Sequence, residues 1–218
     1  MASHLFGINM IKGIIFDFDG VIVDSEVYYV NSLVEYLKTV GVNATFDDCK
    51  TVVGQSLEDI GQELIDRFDL KDSLEKVIKD SIAIFDRSIN ILDFKPMEGL
   101  IEFLEKCKHK GIKMSVASSS DYDYLYTILD NINLRQYFDF VLSGTDFTKS
   151  KPNPEVFNVA AQRMGIDKSE LMIIEDSING IKAGLASGIY TVGLKASLIE
   201  QDTSLADLEV KSFSQIEI

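Results

Sequence analysis

The chain has 218 residues, 46% of them apolar and 26% charged, with only 14 Gly and 3 Pro, which excludes disordered, collagen-like and low-complexity classes. Its 21 Lys+Arg stand against 35 Asp+Glu for a net charge of −14, and no stretch gathers basic residues, so no nucleic-acid partner is expected. No run reaches the roughly 18 apolar residues of a membrane span, and no membrane partner is expected. Met1 to Phe6 lack the basic and apolar regions of a signal peptide. Cys49 and Cys107 lie far apart with no histidine near, which argues against a disulfide framework or a zinc site and for a reduced, cytoplasmic compartment.

In chain order, Met1 to Asn9 read as a short extension ahead of a strand over Ile11–Phe16, a buried β-branched run that ends in acidic residues and Gly20. Helical patterns follow over Val27–Val40, closed by Gly41, over Leu57–Phe68, and from Ser73 to about Ile91. Then come a helix over Leu100–Lys110, a strand over Ile112–Ala117, a helix over Tyr122–Ile132, and a strand over Phe140–Leu142. A helix over Glu155–Met164, a strand over Leu171–Ile174, a helix over Ile178–Ala186 and a strand over Ile189–Val192 complete the pattern. Gly111, Gly165 and Gly188 sit where left-handed helix ends are expected.

Alternation of strand and helix predicts an α/β fold, a doubly wound, Rossmann-like parallel sheet. The interval from Asp17 to Ile112 exceeds the roughly 30 residues of one βαβ unit by about 65. An inserted all-helical domain over 27–93 is therefore expected within a core of 1–26 and 94–218. Its connectors are read at Asp24-Ser25-Glu26 and Asp93-Phe94-Lys95.

Asp17-Phe18-Asp19-Gly20 places two carboxylates at a strand's carboxyl end, where open α/β sheets bind ligands, and Gly20 allows the chain to turn and aim both at one point. Alone, this segment reads equally well as an acidic loop capping a helix. Glu175-Asp176-Ser177 follows another strand. Two strands delivering carboxylates to one rim need a cation, and an all-oxygen set without His or Cys selects Mg²⁺. Ser118-Ser119-Ser120 can form an anion cradle or merely cap the next helix. Lys151, beside Pro152 and Pro154 in a rigid turn, gains meaning only beside such a cradle and metal.

Together, Phe16 to Glu26, the strand ending in Ser118, Lys151-Pro152, and Glu175-Asp176-Ser177 with Gly180-Ile181 and Ala183-Gly184 resemble the four ordered motifs of the haloacid dehalogenase superfamily. The nearest branch is the one holding β-phosphoglucomutase and its phosphatase relatives, and the insertion stands where that branch carries a helical cap. The resemblance implies Asp17 as nucleophile and Asp19 as general acid and base. It implies Mg²⁺ on Asp17, the Asp19 carbonyl and Asp176, with Glu175 direct or through water, and Ser118, Ser119 and Lys151 on the phosphate. A monomeric enzyme acting on a small-molecule phosphate ester is expected.

Metal-free dehalogenation needs neither Asp19 nor the acidic pair, and signalling receivers are shorter and carry their phosphorylated Asp on an interior strand. A non-catalytic, phospho-accepting or binding module is the other alternative. Within the resembled branch, mutases place an Arg after Gly-x-Ser in the cap and a His in its first helix. Here Gly54-Gln55-Ser56 is followed by Leu57, and Tyr29 stands at the His position. Leu57 cannot make the bidentate contacts of Arg, so hydrolysis of a sugar phosphate is expected over phosphoryl transfer between sugars. Lys76 or Lys79 could take the Arg's part and restore the mutase reading.

Overall fold

A computed structural model of the protein describes residues 10–53, 55–89, 94–199 and 201–218. The expected extension over 1–9, Gly54, and the connector at Asp93 lie outside the described residues. The chain divides into two compact units, Met1–Asp24 with Phe94–Ile218, and Ser25–Asp93.

The first unit is built on β1 (Gly13–Phe16), β2 (Lys113–Ala117), β3 (Phe140–Leu142), β4 (Leu171–Glu175), β5 (Tyr190–Leu194) and β6 (Leu208–Val210). All neighbours pair in parallel in the order β3-β2-β1-β4-β5-β6. Such an order reverses direction at β1, whose neighbours are β2 and β4, and that switch point is where a doubly wound sheet opens a crevice beyond its carboxyl ends. Every residue of β1 and β4 is buried, which explains their continuous apolar runs. The α helices of this unit are α5 (Leu100–His109), α6 (Tyr122–Asn131), α7 (Glu155–Met164) and α8 (Ile178–Ser187) among the described residues. Phe157, Ala160 and Ala161 of α7 and Ala183 of α8 pack with Ile15, Ala117 and Ile173 in one buried cluster.

The second unit contains α1 (Ser25–Thr39), α2 (Phe46–Cys49), α3 (Leu57–Phe68) and α4 (Leu74–Ile89). α1 begins at Ser25 rather than Val27, so Ser25 and Glu26, read as connector, are helical. α2 was not expected; Thr45 caps it, accepting from Asp48 N–H while Asp48 accepts back from Thr45 N–H at 2.8 Å. α3 and α4 meet at Gly61, where a Cβ would lie 2.6 Å from Leu74. The third expected helix is described from Leu74 to Ile89; its predicted end near Ile91 lies outside the described residues. Among the described residues no helix is long and apolar enough to cross a membrane.

Candidate active site

Asp17 follows β1 directly, and its N–H donates to Ile174 O at 2.9 Å, which holds it in register beside Glu175, the last residue of β4. Both side chains are nearly or fully buried. Between them stands Lys151, brought in by the segment that leads into α7. Its Nζ donates to Asp17 Oδ1 at 2.6 Å, to Glu175 Oε1 at 2.8 Å and to Ala117 O, at the end of β2, at 3.0 Å. All three ammonium protons are thereby used. The ring of Phe157 lies 4.8 Å from the same nitrogen, so a cation–π contact supports it as well.

One ammonium shared by two buried carboxylates leaves negative charge in excess. Burial and then Glu175 push the Asp17 carboxyl up from 3.8 to about 7, against the pull of Lys151. Burial disfavours the charged form of Lys151, but Asp17 and Glu175 outweigh it and hold the proton well above the ordinary lysine range. The other oxygen of Glu175 accepts from Asp176 N–H at 2.9 Å, Ser177 N–H at 2.8 Å and Ser177 Oγ at 3.0 Å, which shapes the turn into α8. Ser177 caps that helix, accepting from Gly180 N–H.

Asp176 lies against the loop after β1. A Cβ on Gly20, whose φ is +73°, would fall 1.8 Å from Asp176 Oδ2, and one on Gly180 would fall 1.6 Å from Glu175 Oε1. Only glycine leaves room for these carboxylates. One oxygen from each of Asp17, Glu175 and Asp176 lies within 4.8 Å of the other two. Three buried carboxylates with one ammonium, no sulfur and no imidazole make a donor set that fits a hard divalent cation such as Mg²⁺.

Asp19 lies near enough for its charge to push the Asp17 carboxyl up further, and its own carboxylate is held by two hydroxyls: Oδ2 accepts from Ser120 Oγ at 2.8 Å and Oδ1 from Tyr124 Oη at 2.9 Å. Ser118 is buried and accepts from Ser120 N–H at 3.0 Å, while Ser119 is exposed above it. The backbone of Ser119 is approached so closely by Gly144 that a Cβ there would lie 2.3 Å from its carbonyl oxygen. The serines do not cap α6; Asp121 does, through Tyr124 N–H. Tyr124 is the site residue that sequence reasoning missed. At 100° per residue, Tyr122 and Tyr126 share one helix face and Tyr124 points oppositely, a signal present in the Tyr-x-Tyr-x-Tyr spacing.

In the second unit, Ser56 caps α3, and Leu57, in the first turn beside Glu58 and Asp59, is 42% exposed. Lys76 is committed to Asp72 at 3.0 Å and Asp80 at 2.7 Å, whereas Lys79 is exposed. Tyr29 stacks edge-on against Phe85, with ring centroids 5.5 Å apart.

The chain is similar to the phosphorylated carbohydrates phosphatase of Thermotoga maritima, with 27% identity over 185 residues and 83% of each chain covered. To hexitol phosphatase B of Escherichia coli (strain K12) it is 25% identical over 216 residues, 95% of each. A crystal structure from Thermotoga maritima of a proposed β-phosphoglucomutase superposes with a TM-score of 0.80 at 28% identity, over 92% of this chain and 94% of that one. The family model for haloacid dehalogenase-like hydrolases matches residues 14–194, from the first strand of the sheet to the fifth. The chain, with its acidic cluster at the switch point, belongs to the haloacid dehalogenase-like hydrolase family.

Proposed function

We propose that this hydrolase is an Mg²⁺-dependent phosphatase of small phosphorylated metabolites, a sugar phosphate foremost, acting through an aspartyl phosphate on Asp17. The observation that carries the reading is the buried trio Asp17, Glu175 and Asp176, two of which share the ammonium of Lys151. The named activities of the Thermotoga maritima and Escherichia coli relatives, on phosphorylated carbohydrates and as a hexitol phosphatase, support the substrate class. The helical unit Ser25–Asp93 is the inserted cap in this reading.

Asp17, the backbone carbonyl of Asp19 and Asp176 would hold Mg²⁺, with Glu175 directly or through water. Bound there, Mg²⁺ neutralises charge on the phosphoryl group and keeps Asp17 ionised. A carboxylate oxygen of Asp17 attacks phosphorus; the bond to the ester oxygen breaks, and that oxygen takes a proton from Asp19 as it leaves. Water then attacks the phosphorus of the aspartyl phosphate and gives Asp19 its proton, and Asp17 is released as carboxylate with inorganic phosphate. Lys151 and the loop at Ser118 and Ser119 bind the phosphoryl oxygens, and Lys151 exchanges one of its present acceptors for one of them.

The mutase reading draws support from the description of the Thermotoga maritima structure as a β-phosphoglucomutase. Against it, Leu57 carries no charge and Lys76 is already paired. Supplying β-glucose 1-phosphate with a trace of the 1,6-bisphosphate separates the two: phosphate release should outrun formation of glucose 6-phosphate, and the reverse order would overturn the phosphatase reading.

A further inference from the structure

In the proposed reaction Asp19 first gives a proton and then takes one, so the rotation of its carboxyl group has to be set. Tyr124 Oη reaches Oδ1 at 2.9 Å and Ser120 Oγ reaches Oδ2 at 2.8 Å. Each of these two groups is a hydroxyl, which can donate or accept. The two hydroxyls differ in freedom. Tyr124 is fixed at its backbone by the Asp121 cap, at 2.9 Å, and at its ring by an edge-on contact with Phe18, centroids 5.7 Å apart. Phe18 is fully buried and stands between Asp17 and Asp19. Ser120 Oγ sits on a single rotatable bond and can turn its proton away or toward Asp19.

We infer that Tyr124 is a positioning residue for Asp19: it holds Oδ1 and sets the rotation of the carboxyl group. The inference rests on the proposed role of Asp19 as acid and base. In the first half-reaction the Asp19 carboxyl passes its proton to the ester oxygen as the phosphorus–oxygen bond breaks. In the second, the carboxylate takes a proton from the attacking water. Oδ1 remains an acceptor from Tyr124 throughout.

Tyr124→Phe keeps the ring and its packing on Phe18 while removing the hydroxyl, and its melting temperature should match that of the wild type. With Mg²⁺ present, the test is kcat across phosphate esters from p-nitrophenyl phosphate to an alkyl phosphate, measured beside Asp19→Asn. We expect Tyr124→Phe to lose about tenfold in kcat on the alkyl ester and less than about threefold on p-nitrophenyl phosphate, with KM little changed, because a good leaving group needs little help from an acid. Asp19→Asn should show the same bias more strongly. If Asp19→Asn discriminates between the esters and Tyr124→Phe does not, or loses nothing, the positioning role is overturned while the acid stands. Equal losses on all esters for Asp19→Asn would instead remove the acid assignment itself, and with it this inference.

Discussion

Lys151 Nζ lies 2.6 Å from Asp17 Oδ1 across 134 positions of sequence, and both side chains are buried. The same ammonium serves Glu175, so the rim of the sheet is short of positive charge whenever no metal is bound.

That shortage gives stability a definite pH dependence. The Asp17 carboxyl is raised by burial and by Glu175 from 3.8 to about 7, so between these values the folded chain binds a proton that the unfolded chain does not. Stability attached to this group is fully present below about pH 4 and is lost as pH rises through about 7. Lys151, whose proton is held above the ordinary range, contributes nothing that varies in this window. In chelator, Asp17→Asn should therefore melt higher than the wild type at pH 8 and close to it at pH 5, with turnover abolished at both. Thermal melts at the two pH values check this, and a variant that melts lower at pH 8 would reverse the sign.

Removing the cation is the opposite perturbation. Lys151→Met leaves Asp17 and Glu175 facing each other without compensation, and breaking a buried pair in this way typically destabilises by about 3–5 kcal/mol. Denaturant unfolding in chelator should show that loss at pH 8 and a smaller one at pH 5, where Asp17 takes up a proton.

Divalent ions should restore the balance. Because the trio is assembled only in the folded chain, Mg²⁺ should raise the melting temperature saturably, by the equivalent of about 2.7 kcal/mol at a hundredfold excess over Kd. Asp176→Asn should abolish the rise. Turnover should vanish in excess chelator and fall when Ca²⁺ replaces Mg²⁺, since its longer bonds and looser geometry would misplace Asp17 for the proposed attack. Scanning calorimetry with each ion, alongside phosphate release, distinguishes binding from activity.

Gly180 should prove irreplaceable for a reason other than helix or turn propensity, and Gly111 should not. Gly180→Ala drives a methyl into Glu175 Oε1, 1.6 Å from the ideal Cβ, and should uncouple Glu175 from Lys151 and abolish turnover. Gly111→Ala meets nothing within 4 Å and carries only the strain of a φ of +70°, about 1–2 kcal/mol, so its kcat should stay at the wild-type level.

The elements that position the site were legible because they are long, buried and periodic: β1, β2 and β4 stand within two residues of their predicted bounds. β6 was missed because Leu208-Glu209-Val210 is short and buries one residue in three, so it carries neither an alternating nor a continuous apolar signal. α2 escaped for its length, although the Thr45/Asp48 pair that caps it was visible as a spacing. Asp17, Glu175 and Asp176 could be grouped because strand ends share a rim. The hydroxyls that hold Asp19 could not be placed beside it, since they lie 101 and 105 residues away.

The chain leaves the first unit after Asp24 and re-enters it at Phe94, and within that unit Val23 is bridged to Pro96 while Met97 N–H donates to Ile22 O at 2.9 Å. An excursion whose two ends are tied together is, for the sheet, a single loop to be closed. Closure entropy grows only with the logarithm of loop length, so doubling an excursion of about 70 residues adds only about 0.6 kcal/mol. The length of the inserted segment is thus nearly uncoupled from the folding free energy of the unit that carries Asp17 and Lys151.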